Sequence, residues 1–306
     1  MSRKKLKAKY NVEIISARDG FSVAKNKETD LYGLLDNNKE EIIIPFEYKF
    51  IDVDFSKSEL ILAENRDGLY GFINRKNEIT IPFEYEFAYN FLNGFAIAVK
   101  NYEENYEGII DELGNVIIPI RYDEIYILHP KKYAKIKENG KYGLMNFESE
   151  IILTTQYDFI DTLGYFASTL VLCEQNEKFG IFDFAKREFI IPIEIDHLED
   201  SLIVDKDNTR FEYYVLTKND HECLIILKDN KIKYLTEFIY DHIDHTNISE
   251  GIIRIKQNGS WGAADINCNI IIPCKYEEIF YANNGKIKAV VNNQEYWFNL
   301  EGNLIL

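Results

Sequence analysis

The chain has 306 residues, of which 46% are apolar and 14% aromatic, so it can bury a substantial core. Its formal net charge is −16, and an acidic surface repels phosphate backbones, which argues against nucleic acid as a direct partner. No apolar run approaches the roughly 18 residues of a membrane-spanning helix, and the start is too polar for a signal peptide. We therefore expect a cytoplasmic protein without membrane contact, in which the four cysteines are reduced thiols.

The basic N-terminal segment, residues 1–9 (MSRKKLKAK), carries five positive charges and no negative one. Polar chain ends are usually solvated and frayed, which is our expectation for this segment. A small anchor or contact arm is the alternative.

A nine-residue phrase then recurs along the chain. IIIPFEYKF at 42–50 and ITIPFEYEF at 79–87 agree at seven positions. The proline recurs five times and the tyrosine three residues later six times, with Ile195 in place of the tyrosine in one unit. The motif positions are Pro45, Pro82, Pro119, Pro192, Pro273, Tyr48, Tyr85, Tyr122, Tyr157, Tyr240 and Tyr276. Residues 10–306 thus form a single repeat domain of about eight units, which begin near 10, 48, 85, 122, 157, 195, 240 and 276.

Each unit has a second motif, a glycine that usually follows an aromatic residue. The pairs are Tyr32-Gly33, Tyr70-Gly71, Tyr142-Gly143, Phe179-Gly180 and Trp261-Gly262, and Gly108 follows a glutamate. An Asp or Asn three residues after the glycine predicts a turn, and the Asn-Gly dipeptides at 139–140 and 258–259 predict tight hairpins. Each unit is therefore predicted to be a meander of four short antiparallel strands. The proline should end the fourth strand because it cannot donate to a sheet ladder.

These motifs resemble the WG-repeat family of bacterial proteins, whose pattern is aromatic-Gly, Asp, a turn, an Ile-rich strand, Pro and then Tyr-Asp. Residues 258–279, NGSWGAADINCNIIIPCKYEEI, fit this pattern best. Apart from that stretch, the sixth and seventh units, residues 195–275, depart from it furthest. The resemblance covers nearly the whole chain. It implies a β-rich repeat without a common catalytic residue, and a binding or scaffolding role.

The architecture follows from packing between units. A meander of about 37 residues cannot bury its faces alone and must stack on its neighbours. Eight such units fit an all-β, propeller-like ring, since propeller blades have four strands. An open curved β-repeat array is the alternative.

The divergent units hold most of the histidines and supply the candidate binding residues. These are Asp196, His197, Glu199, Asp200, Asp241, His242, Asp244 and His245. His197 and His242 occupy equivalent positions in adjacent units and are expected to be neighbours. Imidazole and carboxylate groups can bind Zn²⁺, but other units place Phe or Glu at this position, which favours packing or exposure. We predict no metal site and no cofactor.

No Gly-rich phosphate loop or hydrolase motif is present, so no catalytic residue is predicted. The leading hypothesis is a non-catalytic scaffold that binds another protein. It includes an inhibitor or immunity-type protein that covers a basic partner, because the chain is acidic. One alternative is carbohydrate binding through exposed aromatic residues, and another is an enzyme with an active site in a central pocket. Residues 196–221 are the longest departure from the repeat and the first place to expect a binding surface.

Overall fold

The computed structural model describes residues 3–53, 59–100, 106–129, 133–164, 169–199, 202–206, 209–228 and 231–305. Within these ranges the chain forms one short helix and 32 strands, which are arranged in eight antiparallel sheets along the sequence. The chain divides into two compact units, Met1–Gln156 and Tyr157–Leu306. The prediction of an all-β tandem repeat is confirmed.

The first unit contains helix α1 (Arg3–Tyr10) and four sheets. The first sheet has β1 (Val12–Arg18), β2 (Phe21–Asn26), β3 (Tyr32–Asp36) and β4 (Glu41–Tyr48). The second has β5 (Phe50–Asp52), β6 (Ile61–Glu64), β7 (Tyr70–Ile73) and β8 (Ile79–Tyr85). The third has β9 (Phe87–Ala88), β10 (Phe95–Lys100), β11 (Tyr106–Asp111) and β12 (Val116–Tyr122). The fourth has β13 (Glu124–His129), β14 (Tyr133–Glu138), β15 (Lys141–Asn146) and β16 (Ile151–Tyr157).

The second unit contains the other four sheets. The fifth has β17 (Phe159–Thr162), β18 (Leu170–Gln175), β19 (Lys178–Asp183) and β20 (Glu188–Ile195). The sixth has β21 (His197–Leu198), β22 (Leu202–Lys206), β23 (Thr209–Lys218), β24 (His221–Lys228) and β25 (Lys231–Tyr234). The seventh has β26 (His242–Ser249), β27 (Ile252–Gln257), β28 (Ser260–Asp265) and β29 (Ile270–Tyr276). The eighth has β30 (Glu278–Ile279), β31 (Lys286–Val291) and β32 (Gln294–Asn299).

Six of the eight sheets have the predicted four strands in meander order. The sixth sheet gains β22, which pairs with the long strand β23, so part of the 196–221 departure is a hairpin. The eighth sheet has three strands in the part of the chain that the structure describes. Its predicted fourth strand is reduced to a single bridge between Phe298 and Leu304.

The predicted turns are confirmed. Asn139 and Gly140 have φ values of 54° and 76°, and Asn258 and Gly259 have 51° and 78°. Positive φ at both central residues matches the right-handed twist of the flanking strands. The Asp or Asn after each motif glycine accepts local backbone bonds, as when Asp36 Oδ1 accepts from the amide of Asn38 at 2.8 Å.

The prediction that proline ends the fourth strand is wrong. β4 runs through Pro45 to Tyr48, and Tyr48 pairs with Tyr32 after a bulge in the register. Pro45 is exposed on an edge strand, where its missing amide hydrogen leaves no ladder bond unmade. The bulge brings the carbonyl of Ile44 so close that a Cβ on Gly33 would lie 2.6 Å from its oxygen. The motif glycine is therefore a steric requirement of the bulge.

Within each unit the hydrophobic core lies between successive sheets. The seam tyrosines belong to it, since Tyr85 and Tyr122 are each 1% exposed, and Ile195 fills the same position at 2%. The expectation of a frayed N-terminus is wrong for the part that the structure describes. Residues 3–10 form α1, and Leu6 is 3% exposed against the first sheet.

Candidate functional site

One face of the seventh sheet groups polar and aromatic side chains. In its register His242 pairs with Lys256, Asp244 with Arg254, and Lys256 with Trp261. Side chains alternate between the two faces of a sheet, so these five residues share one face. The sequence stretches DHID and IRIK therefore build this face together.

An ion pair with Asp244 fixes the position of the Arg254 side chain. The Asp244 carboxylate is 9% exposed and forms an ion pair with the Arg254 guanidinium, which is 20% exposed. The Tyr281 hydroxyl donates to Asp244 Oδ2 at 2.8 Å, and Arg254 Nη1 donates to the Ile279 carbonyl at 3.0 Å. The guanidinium thus has a fixed position and orientation between the seventh and eighth sheets.

Two cations and a histidine surround the Trp261 indole. The Arg254 guanidinium lies 5.4 Å from the indole centroid and the Lys256 ammonium 5.6 Å. The His242 ring meets it edge-on at 5.9 Å. On its other side Arg254 lies 3.7 Å from the ring centroid of Tyr281, which is 39% exposed. We call Arg254, Lys256, Trp261 and Tyr281 the Trp261 cluster.

Glu222, on β24 of the preceding sheet, contacts His242 and Ile243 at the start of the seventh sheet. It occupies the motif position that an aromatic residue holds elsewhere, and it is buried. Its Oε2 accepts the backbone amide of Ile243, and its Oε1 lies 3.2 Å from His242 Nδ1. Glu107 is another glutamate at this position, and its Oε2 accepts the amide of Ile125 at 2.6 Å. Both carboxylates therefore cap the first strand of the next sheet.

Two of the predicted binding residues, Asp196 and Asp241, accept hydrogen bonds from the backbone amides of turns. Asp196 Oδ2 accepts the amide of Asn219 at 2.7 Å, and Asp241 Oδ2 accepts that of Gly259 at 2.7 Å. Asp123 makes the same contact to Gly140 in the fourth sheet. The Lys178 ion pair and the Asn219 bond lower the pKa of Asp196. These aspartates therefore stabilise the turns between β23 and β24, between β27 and β28, and between β14 and β15.

The other sequence-predicted residues are placed as follows. Asp244 and His242 lie at the Trp261 cluster, which also contains residues that the sequence reasoning did not select. His197 is exposed at the start of β21, and the amide of Glu199 donates to the Val215 carbonyl at 3.0 Å. Asp200 and the side chain of His245 lie outside the described residues.

No group of three His, Cys, Asp or Glu side chains suited to a metal occurs among the residues that the structure describes. All four cysteines are free thiols. Cys173 and Cys223 are buried in the cores, and burial raises the pKa of each to about 12. His221 is exposed and its Nδ1 lies 2.9 Å from the Asn219 carbonyl, whereas Cys223 packs inside the core.

The position of Arg254 beside Asp244 and His242 is indicated by an alternating pattern in the sequence. Polar and apolar residues alternate in 242–244 (HID) and in 253–256 (IRIK), so the polar residues of each segment fall on one face of its strand. No helix in the described part of the chain is long and apolar enough to span a membrane.

A family model described as "WG containing repeat" matches residues 32–67, 70–103, 108–142, 227–261 and 261–297, which together cover more than half of the chain. A search of curated proteins finds no match.

Among solved structures, a eukaryotic initiation factor is similar at 8% identity and a TM-score of 0.36, over 94% of this chain and 96% of that one. Kluyveromyces lactis Hsv2 is similar at 10% identity and a TM-score of 0.35, over 73% and 84%. A KlHsv2 variant with loop 6CD replaced by a Gly-Ser linker gives 6% identity and a TM-score of 0.29, over 79% and 89%.

Proposed function

The chain belongs to the WG-repeat family, and from that premise we propose that it is a non-catalytic scaffold that binds another protein. The observation that carries the proposal is the Trp261 cluster. Tryptophan, tyrosine and arginine are the residue types most enriched at the energetic centres of protein interfaces. Here Arg254 and Trp261 share a face of the seventh sheet, and Tyr281, between β30 and β31, contacts Arg254 and remains 39% exposed.

The cluster is ordered before any partner arrives. Asp244 and the Ile279 carbonyl already fix the guanidinium of Arg254. Immobilising such a side chain on binding costs about 0.5–1.5 kcal/mol, and a preorganised arginine avoids most of this cost. A protein that docks on Trp261 would therefore gain its contact energy with little loss of side-chain entropy.

The charge of the chain favours a basic partner. A net charge of −16 accelerates encounter with a positively charged protein, as an inhibitor or immunity-type protein would require, and it opposes direct binding to nucleic acid. Such steering weakens when salt screens the charges. The free thiols support the further proposal that the protein acts in the reducing cytoplasm.

The test is affinity capture from host lysate at low and high salt, with the wild type and two matched variants. Trp261→Ala removes the centre of the cluster. Tyr142→Ala is the control, because Tyr142 holds the equivalent motif position in the fourth sheet and also lies beside lysines. We expect one basic protein to be captured at low salt by the wild type and by Tyr142→Ala, and lost with Trp261→Ala. Equal capture by both variants would show that the seventh sheet is not the binding site.

Carbohydrate binding is the second candidate, and it has an observation of its own. Aromatic rings follow one another across the first three sheets, with centroid separations of 6.1 Å (Tyr32–Phe50), 6.4 Å (Phe50–Tyr70), 5.2 Å (Tyr70–Phe87) and 5.0 Å (Phe87–Tyr89). Tyr89 is 51% exposed. A glycan array with the wild type and Tyr89→Ala tests this candidate, since stacking on sugars should survive high salt and be lost with the ring.

The propeller-like ring and the open curved array remain alternative predictions from the repeat. Small-angle X-ray scattering distinguishes them, because a closed ring has a smaller radius of gyration than an arc of the same eight sheets. An enzyme with a pocket also stays a prediction, and activity screening with the purified protein tests it.

A further inference from the structure

The last strand of each of the first seven sheets lies at a sheet edge. In the part of the chain that the structure describes, these last strands, β4, β8, β12, β16, β20, β25 and β29, each pair with one neighbouring strand. The other side of an edge strand carries amide and carbonyl groups with which a strand of another chain can pair. Natural edge strands are usually protected against such pairing by prolines, charges or bulges. Whether one of these strands can accept a further strand therefore depends on its own residues.

Six of the seven last strands are protected by proline, by charge or by both. Five of them contain a proline with a charged residue two positions later. These pairs are Pro45 with Glu47, Pro82 with Glu84, Pro119 with Arg121, Pro192 with Glu194, and Pro273 with Lys275. Strand β25 has no proline, but two of its four residues, Lys231 and Lys233, are charged. The exception is β16, whose sequence IILTTQY contains neither a proline nor a charge.

Thr154 of β16 stands at the position of the five prolines, and like them it is exposed. Proline has no amide hydrogen, so the ladder to the preceding strand is complete without an amide at this position. Thr154 therefore adds a backbone donor that the repeat itself does not require. Ile151, at the start of β16, is 50% exposed. The β-branched Ile and Thr side chains of this strand also favour an extended pairing partner.

A bulge is the protection that β16 retains. A Cβ on Gly143 would lie 2.6 Å from the Leu153 carbonyl oxygen, which is the same approach that the bulge of the first sheet creates between Gly33 and Ile44. A bulge interrupts the ladder and twists the strand, so only a short segment of β16 can pair. A strand of seven residues is also a small interface, because stable complexes bury at least about 1,200 Å². We therefore expect a weak association at this edge.

The occupant that fits this edge is β16 of a second copy. Antiparallel pairing about a two-fold axis uses the same edge on both copies. When the axis passes through Thr154, the two Thr154 residues face each other and Ile152 lies opposite Gln156, so no like charges meet along the strand. Each of the other six last strands contains charges of one sign only. Pairing any of them with its own copy would bring like charges together.

We propose that two copies of the chain associate through antiparallel pairing of their β16 strands, which gives a weak two-fold dimer. The carboxylates that flank the strand already have partners within the chain, since Glu150 Oε2 accepts from Asn146 Nδ2 at 3.0 Å and Asp158 Oδ2 accepts the amide of Asn176 at 2.9 Å. The net charge of −16 on each copy opposes association, and salt screens this repulsion. Salt should therefore strengthen the dimer, whereas it should weaken the docking of a basic partner.

The test measures the mass of the full chain by light scattering after gel filtration, over a wide range of loading concentration and at low and high salt. The wild type should approach twice the monomer mass at high concentration and high salt, and return to the monomer on dilution. Thr154→Pro gives β16 the residue of five equivalent strands, and Ile151→Lys places a charge on the edge, so both variants should stay monomeric. Val116→Lys is the matched control and should associate as the wild type does. Val116 begins β12 as Ile151 begins β16, is 53% exposed, and its replacement changes the net charge equally.

Hydrogen exchange locates the interface, because amides of residues 151–156 should exchange more slowly in the wild type at high concentration than at low concentration. A wild type that stays monomeric at every concentration and salt would overturn the proposal and leave the edge of β16 to a strand of another protein. Association that persists in a variant of β16 whose circular dichroism shows it folded would also overturn it. If Thr154→Pro does not fold, Ile151→Lys decides the question, since it changes only an exposed side chain.

Discussion

Replacing Glu222 tests how a repeat tolerates the loss of its motif aromatic residue. The Glu222 carboxylate accepts the amide of Ile243, which is 1% exposed, and it lies 3.2 Å from His242 Nδ1. In Glu222→Ala the Ile243 amide loses its acceptor in a place that water does not reach. An unsatisfied buried donor costs about 1–3 kcal/mol. The His242 contact is 43% exposed on the histidine side and adds well under about 1 kcal/mol.

We therefore expect Glu222→Ala to lower the free energy of unfolding by about 2–3 kcal/mol. Glu222→Gln keeps a side-chain carbonyl as acceptor and should cost about 1 kcal/mol. With a urea slope of about 2 kcal/mol per molar, the alanine variant should lose about 1–1.5 M in its midpoint.

Tryptophan fluorescence during urea titration is the assay. Both tryptophans, Trp261 and Trp297, lie in the second unit, so their emission follows the part of the chain that contains Glu222. Glu237→Ala is the control, because Glu237 is exposed. The reasoning is refuted if the alanine variant loses less than about 0.5 kcal/mol, or if alanine and glutamine cost the same.

Four further predictions concern single groups. Burial raises the pKa of Glu107 above its ordinary value of 4.5, so the ionised carboxylate destabilises the folded state. This destabilisation is absent below pH 4.5 and complete above the folded pKa. The stability of Glu107→Gln relative to the wild type should therefore increase as pH rises through this range, measured by urea unfolding with circular dichroism. Gly262→Ala places a Cβ 2.6 Å from the Ile272 carbonyl oxygen and should destabilise the second unit by about 1–3 kcal/mol in the fluorescence assay. Asp241→Ala frees the Gly259 amide and should cost about 1 kcal/mol, while Asp241→Asn should cost less in the same titration. Cys173 and Cys223 should resist Ellman's reagent in the folded protein and react in denaturant, because their pKa of about 12 leaves almost no thiolate at neutral pH.

Much of the fold was predictable because the same turn and core residues recur at equivalent positions of several units. The Asn-Gly turns, the Asp or Asn that opens each second turn, and the buried seam tyrosines all follow from local chemistry. The proline failed as a strand end because the general rule describes a central strand. On an exposed edge strand with a bulge, Pro45 leaves no amide bond unmade.

Helix α1 could not be predicted from the same reasoning. Among the helix residues whose side chains the structure describes, 6–10, Leu6 and Tyr10 pack on the sheet, and two apolar residues make no periodic pattern. The free energy that orders the helix comes from tertiary packing on Val12, Ala24 and Leu35 of the first sheet. A local reading of RKKLKAKY contains no information about that surface.

Comparison between units shows which departures from the motif point to a site. Asp196 and Asp241 were selected for their divergent surroundings, yet Asp123 clamps a hairpin in the same way in a regular unit. Such a contact belongs to the architecture and says nothing about a partner. Arg254 is different, because an arginine held between Trp261, Tyr281 and a buried Asp244 goes beyond what the repeat needs to form its ladder. The useful signal in a repeat protein is therefore a side chain whose contacts the equivalent positions of regular units do not reproduce.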